Sequence, residues 1–224
     1  MKPDRRIQNL QKVLKKTYPH PVCALHFSTP FELLIATILA AQCTDKRVNM
    51  VTPNLFKKYP TISRFARAPL PELEKEIRPT GFFRQKARWV RQTARILLER
   101  FQGKVPRTME ELLTLSGVAR KTANVVLGTA CGIASGIVVD THVIRLSGRM
   151  GLSKEKDPVK IERDLMAVVP KKDWIWFGHA MTTHGREICD ARNPRCPVCP
   201  VNKLCPYPSS PQRSGISGSA FSLP

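Results

Sequence analysis

Two residues in this sequence have the type and setting for covalent chemistry at a sugar carbon. Lys121 follows Arg120 at the head of an almost wholly apolar run, residues 122–130, and Asp140 closes a second apolar run, residues 137–139. A helix that is apolar nearly all round belongs in a core, so the pattern predicts that Lys121 is held near the interior. The positive end of a helix, a neighbouring cation and partial burial all disfavour the charged form of a lysine. A lysine that gives up its proton readily is a nucleophile, able to form a Schiff base with a sugar carbonyl carbon. The plainer reading is a lysine that binds phosphate. Asp140 reads as an N-cap whose carboxylate accepts backbone N–H bonds and so stays ionised. A fixed anion there can also stabilise an oxocarbenium-like sugar or polarise an attacking amine.

A second set of residues points to a metal. Four of the seven cysteines fall close together, as Cys189-x6-Cys196-x2-Cys199-x5-Cys205. An odd cysteine count in a chain with no apolar signal region at its N-terminus argues against a disulfide framework and for an intracellular protein, in cytoplasm or nucleoid. Structural zinc sites usually show two short Cys-x-x-Cys pairs, and here only one pair is short. Three of the four cysteines precede proline (Pro197, Pro200, Pro206). That pattern favours an iron–sulfur cluster, with zinc as the alternative.

The third set concerns a polyanion. The formal charge is +20, and so large a charge on a folded domain points to nucleic acid. No helix pairs a basic face with exposed Trp or Phe as membrane-surface helices do, and no apolar run reaches the length of a span. The turn Leu115-Ser116-Gly117-Val118-Ala119, followed by Arg120, predicts a helical hairpin whose loop and following first turn point backbone N–H groups outward, a setting suited to phosphate. Gln42, at the end of an apolar helix, reads as a satisfied polar helix end. Phe82, after Gly81, reads as a core aromatic. The functional alternative is that both enter DNA and fill the gap left by a flipped nucleotide.

These residues need helices to hold them. Ile7, Leu10 and Leu14 share a face of a helix over 5–17. Thr29-Pro30-Phe31-Glu32 is an N-cap, first-turn proline and capping box opening a buried helix over 31–43. Thr44-Asp45 caps the next helix, which Pro53 should kink or divide. A short helix over 72–77 breaks at Pro79-Thr80-Gly81, and a long amphipathic helix covers 86–101. Thr108 opens a second capping box before the hairpin. Helices follow from Asp140, over 161–169 and over 173–184. No segment alternates as a strand does, so the fold class is all-α. The tail over 207–224 is rich in Ser, Gly and Pro and is expected to be disordered.

Taken together, LLIATILAAQCTD, TGFFRQKA, LSGVARKTANVVL, VVDTHVIRL and HGREICDARNPRCPVCPVNKLC resemble the endonuclease III family, bifunctional glycosylase/lyases of the helix-hairpin-helix–Gly/Pro-Asp superfamily, over about residues 4–207. The resemblance implies two α-helical domains. A six-helix barrel with the helix-hairpin-helix would span 23–134. A cluster domain would combine 1–22 with 135–206 and hold one [4Fe-4S] cluster on Cys189, Cys196, Cys199 and Cys205. The cleft between the domains would hold Lys121 and Asp140. Lys121 would attack C1′ of an oxidised pyrimidine nucleotide, with Asp140 supporting attack and proton transfer. Gln42 and Phe82 match the gap-filling positions, and Gly117, Ala119 and Arg120 the phosphate-binding hairpin. The cluster would order the loop bearing Arg192 and Arg195 against the phosphate backbone. The expected partner is double-stranded DNA with damaged bases or abasic sites, bound by a monomer. Three positions depart from the family pattern. Ser116 and Ala119 stand where it has Pro and Gly, and Phe82 where leucine is expected. Were position 119 left-handed, alanine would cost about 1–2 kcal/mol there. The competing readings are an adenine glycosylase that works without a lysine nucleophile, and a cluster-containing DNA-binding protein without catalysis. The presence of both Lys121 and Asp140 speaks against them.

Overall fold

The computed structural model describes residues 5–209, and among these the regular elements are all helical. The all-α class expected from the sequence is what forms. The chain divides into two units. Val22–Ser135 is continuous, whereas the other unit combines Met1–Pro21 with Gly136–Pro224 and is therefore made from two separate parts of the sequence.

The first part of the split unit is helix α1 (Arg5–Thr17). The central unit begins with α2 (Pro30–Leu39), capped by the Thr29 hydroxyl, which accepts the Glu32 amide at 3.2 Å. The Glu32 carboxylate reaches back to the Ser28 amide at 2.6 Å, one residue earlier than an ideal capping box. α2 stops at Leu39, four residues short of its expected end. The chain turns at Ala40-Ala41 and enters a left-handed conformation at Gln42, φ 52°. Thr44 caps α3 (Asp45–Lys58), which runs undivided through Pro53. Then come α4 (Ile62–Arg67), α5 (Leu70–Ile77) and, after a 3-10 turn at Arg78–Thr80, α6 (Phe83–Phe101). α6 starts three residues before the expected boundary because the chain reverses at Gly81 (φ 69°) and Phe82 (φ 47°). α7 (Met109–Leu112) is a single turn, and α8 (Arg120–Val125) continues into a wider π turn, Val126–Ala130. The core of this unit is built on Phe65 of α4, fully buried, with the rings of Phe31, Phe56 and Tyr59 at 5.3–6.3 Å. Ala87, Val90, Ala94 and Leu97 give α6 its buried stripe at helical spacing.

The split unit resumes with α9 (Thr141–Arg149), α10 (Pro158–Val168) and α11 (Trp174–Glu187). α10 begins at Asp157-Pro158, an N-cap followed by a first-turn proline, rather than at 161. Short 3-10 turns follow at Cys196–Val198, Asn202–Leu204 and Tyr207–Ser209. The tail expected to be disordered from 207 thus opens with a turn, and its remainder lies outside the described residues. Ile7, Leu10 and Leu14 of α1 join one core with Val143, Leu146, Ile161, Leu165, Phe177 and Met181. Polar bonds fix the same junction. Arg6 Nη1 donates to Met150 O at 2.8 Å and Leu204 O at 3.1 Å, and Gln11 Nε2 donates to Val168 O at 3.0 Å. Trp176 Nε1 donates to Tyr18 O at 2.7 Å. No helix among the described residues is long and apolar enough to cross a membrane.

Candidate functional site

The hairpin of the central unit is set by contacts with α6. Thr108 caps α7 by accepting the Glu111 amide, while its own hydroxyl donates to the Glu111 carboxylate at 2.8 Å. Leu112, Leu115 and Val118 are buried and pin the loop down. Thr93 of α6 donates its hydroxyl to Ser116 O at 2.8 Å, which anchors the residue that stands in the family's proline position. Gly117 has φ 75°, and a Cβ there would lie 2.9 Å from atoms of Trp89. Only glycine satisfies both the backbone angle and the close approach. Ala119 is extended, φ −98° and ψ 170°, so the strain considered for a left-handed alanine does not arise. Ala119 brings no side-chain cap to α8, and the first-turn N–H groups lack that intrachain acceptor.

Lys121 is the second residue of α8, and it is exposed. This corrects the expectation that it sits near the interior. Burial of the helix begins one residue later and runs from Thr122 to Leu127. Arg120 beside it is half-buried, and Ala119 is exposed.

Asp140 belongs to the split unit and is half-buried. Both carboxylate oxygens are engaged. Oδ1 accepts the Val143 amide at 2.8 Å, the N-cap bond of α9, and Oδ2 faces the Thr182 hydroxyl of α11 at 3.2 Å. Thr182 is also 3.0 Å from Gly178 O. Gly178 lets α11 approach the strand-like segment before Asp140, since a Cβ there would be 3.3 Å from Val138 N. The N-cap role was readable from sequence; Thr182 and Gly178 were not, because nothing in α11 alone marks which face meets Asp140. Lys121 and Asp140 lie in different units.

Gln42 and Phe82 are both exposed and both left-handed, with φ 52° and 47°. Phe82 is 66% exposed, which overturns its reading as a core aromatic, and Gln42 stands in the turn after α2 rather than at its end. A left-handed non-glycine residue costs about 1–2 kcal/mol; Gln102, the C-cap of α6, is the third such residue among those described. Behind the two turns lies Lys86, 1% exposed, whose Nζ donates to Leu39 O and to Thr80 O at 2.7 Å each. Burial lowers its pKa.

The four clustered cysteines line one cavity in the split unit, together with Met150, His184 and Val201. Cys196 is buried and the others are half-buried. Burial pushes the Cys199 thiol up to about 11 and raises that of Cys205. Among the described residues no three His, Cys, Asp or Glu side chains converge closely enough for one ion. The lining offers four thiol donors and no carboxylate, the donor set of a thiolate-held metal group. The loop between Cys189 and Cys196 is tied down by α9. Arg145 donates to Cys189 O and Gly185 O at 2.9 Å, and Arg149 to Asp190 O at 2.6 Å, Ala191 O at 2.7 Å and Cys189 Sγ at 3.3 Å. Within it Arg192 is exposed, and Arg195 is exposed with its guanidinium on Glu187 O.

Comparison with known proteins adds a family to this geometry. Residues 35–171 match the family described as HhH-GPD superfamily base excision DNA repair protein. Endonuclease III of Synechocystis sp. is 52% identical over 202 residues, covering 90% of this chain and 92% of that protein. A structure described as a non-covalent endonuclease III–DNA complex superposes with a TM-score of 0.87 at 42% identity, covering 94% of this chain and 99% of its own. Another, described as a trapped endonuclease III–DNA covalent intermediate, gives 0.86 at 42% identity, covering 93% and 98%.

The hairpin geometry makes unequal predictions for its two small residues. Gly117→Ala combines a left-handed penalty of about 1–2 kcal/mol with a clash costing about 1–3 kcal/mol, so urea unfolding should show a loss of several kcal/mol. Ala119→Gly relieves nothing and should destabilise by only about 0.4–1 kcal/mol. A stabilised Ala119→Gly variant would contradict the extended backbone at that position.

Proposed function

The chain belongs to the HhH-GPD superfamily of base excision DNA repair proteins, and from that premise we propose that it excises oxidised pyrimidines from duplex DNA and cleaves the resulting abasic site through a lysine Schiff base. It is a DNA glycosylase with abasic-site lyase activity. The observation that carries the assignment of roles is Lys121 itself, an exposed amine on the first turn of α8, directly after a hairpin that leaves that turn without a side-chain cap.

In this reading the loop at Gly117, Ala119 and Arg120 grips a phosphate next to the lesion, using backbone N–H groups and the guanidinium. The amine of Lys121 attacks C1′ of the flipped nucleotide. The C1′–Nζ bond forms as the glycosidic C1′–N bond breaks, and the base leaves with its electron pair and takes up a proton. Opening of the sugar ring gives the Schiff base. Loss of a C2′ proton then drives β-elimination, in which the C3′–O bond breaks and the 3′ phosphate departs. Asp140, held by Val143 and Thr182, supplies a fixed negative charge against the cation that builds on the sugar and assists the proton transfers. Gln42 and Phe82 fill the space that the flipped nucleotide vacates, and the protein acts as a monomer on DNA in cytoplasm or nucleoid.

The four cysteines are assigned to one [4Fe-4S] cluster, and the central domain and the domain closed by this cluster correspond to the two units. When bound, the cluster supplies a structural cross-link among four points of the chain. Tyr18 and His184 prepare one of those points. Burial pushes His184 down to about 4 and Tyr18 up to about 12, so the imidazole is neutral and the phenol keeps its proton. The phenol donates to Nδ1 across 3.1 Å, which leaves Nε2–H facing Cys199 Sγ at 3.5 Å. Arg192 and Arg195 lie on the loop this cross-link closes, where they meet the phosphate backbone.

Lys121→Gln should retain DNA binding but lose both strand cleavage and the borohydride-trapped adduct on abasic DNA; a trapped adduct in that variant would place the nucleophile elsewhere. Asp140→Asn should keep the helix cap yet lose glycosylase activity by about 100-fold or more, while still trapping some adduct at preformed abasic sites. Phe82→Ala and Gln42→Ala should slow base excision more than cleavage of a preformed abasic site, because extrusion costs a few kcal/mol for an intact base and less where the base is gone. Anaerobically purified protein should be brown and contain iron and sulfide, and Cys199→Ser should lose both; stoichiometric zinc in a colourless protein would overturn the cluster.

A further inference from the structure

Gln42 and Phe82 sit on turns that are distant in sequence, and each turn needs something to hold it. Leu39 is the last residue of α2 and Thr80 the last of the 3-10 turn, where helix carbonyls run out of backbone partners. Lys86 Nζ takes one carbonyl from each, at 2.7 Å. Its own amide donates to Phe82 O at 3.0 Å. One residue therefore fixes the chain three positions before Gln42, two positions before Phe82, and at Phe82 itself. A lysine so deeply buried is uncommon unless its protons are used, and a cation at the C-terminal end of α2 also meets the favourable end of its dipole.

We propose that Lys86 is a positioning residue for base excision, tying the turn of Gln42 to the turn of Phe82 so that the two side chains are presented to the duplex at a fixed separation. The inference rests on the reading of Gln42 and Phe82 as gap-filling residues. Neither left-handed turn has a glycine at the projecting position, and the bonds of Lys86 reach the backbone of both. Lys86 touches no substrate; it acts through the backbone of the residues that do.

The test is Lys86→Met, which keeps length and burial and removes the donors. Single-turnover base excision from a damaged duplex is compared with cleavage of a preformed abasic site, alongside Phe82→Ala and Gln42→Ala. Excision by Lys86→Met should fall about 10- to 100-fold, the scale of a misplacement of about 1 Å, and abasic-site cleavage by less than about threefold. On a Phe82→Ala, Gln42→Ala background the same change should cost excision no more than about a further twofold, as expected of residues acting through one another. Should the methionine variant fail to unfold cooperatively, Lys86→Arg decides. It keeps charge and donors in a longer planar head, and it should show a smaller loss with the same selectivity; wild-type rates or equal losses on both substrates would overturn the proposal. Selective losses for Phe82→Ala and Gln42→Ala with an unselective or absent loss for Lys86→Met would sink this inference alone. Unselective losses for the first two would sink the gap-filling reading and this inference with it.

Discussion

A buried cation is tolerable only when its protons meet acceptors, and the exposed edge of the central unit depends on one such bargain. The ammonium of Lys86 lies among the ends of α2, the 3-10 turn and α6, and it satisfies a carbonyl from each of the first two. Without it those carbonyls would be stranded beneath the surface. With it the chain can leave α2 through a left-handed Gln42 and enter α6 through a left-handed Phe82. Hydrogen bonding at the bottom of the turns and conformational strain at the top belong to one arrangement.

The split unit solves a similar problem with arginine. The chain carries 37 Lys and Arg against 17 Asp and Glu, so most cations have no carboxylate to pair with. Arg6, Arg145 and Arg149 instead spread their guanidinium donors over backbone carbonyls, at Met150 and Leu204, at Gly185 and Cys189, and at Asp190 and Ala191. Guanidinium suits this use because it has five donors in a rigid plane and no acceptor to satisfy. Part of the basic excess is thus structural, closing the cysteine loop and joining α1 to the far end of the chain. The remainder supplies the field that draws a polyanion.

The parts of the structure most legible in the sequence are those decided within a few residues. Thr29, Thr44, Thr108 and Asp140 cap the helices that their local patterns announced, because a cap is a bond between neighbours. Asp157-Pro158 carries the same kind of local signal, an N-cap followed by a first-turn proline, and α10 starts there. Residues set by contact between distant segments were harder to read. Helical periodicity averages over turns, and so placed Lys121 inside when burial begins at Thr122. Residue type favoured a buried Phe82, although the left-handed turn throws it outward. Lys86 was invisible for the same reason, since its partners lie 47 and 6 residues away. Pro53 was expected to kink or divide α3, and the helix runs through it undivided.

The junction at Arg6 has a consequence for how the protein is made. Arg6 and Leu204 are 198 residues apart, so α1 leaves the ribosome long before its partner carbonyl is synthesised. Val22–Ser135 is continuous and can fold as soon as it emerges, in the order in which domains form during translation. Meanwhile α1 waits with Ile7, Leu10 and Leu14 uncovered. Its apolar partners begin at Ile137, 130 residues after Ile7, so at about 5–20 residues per second that stripe is bare for roughly six to twenty-six seconds. A message cut short soon after codon 135 yields a complete central unit with that uncovered helix attached.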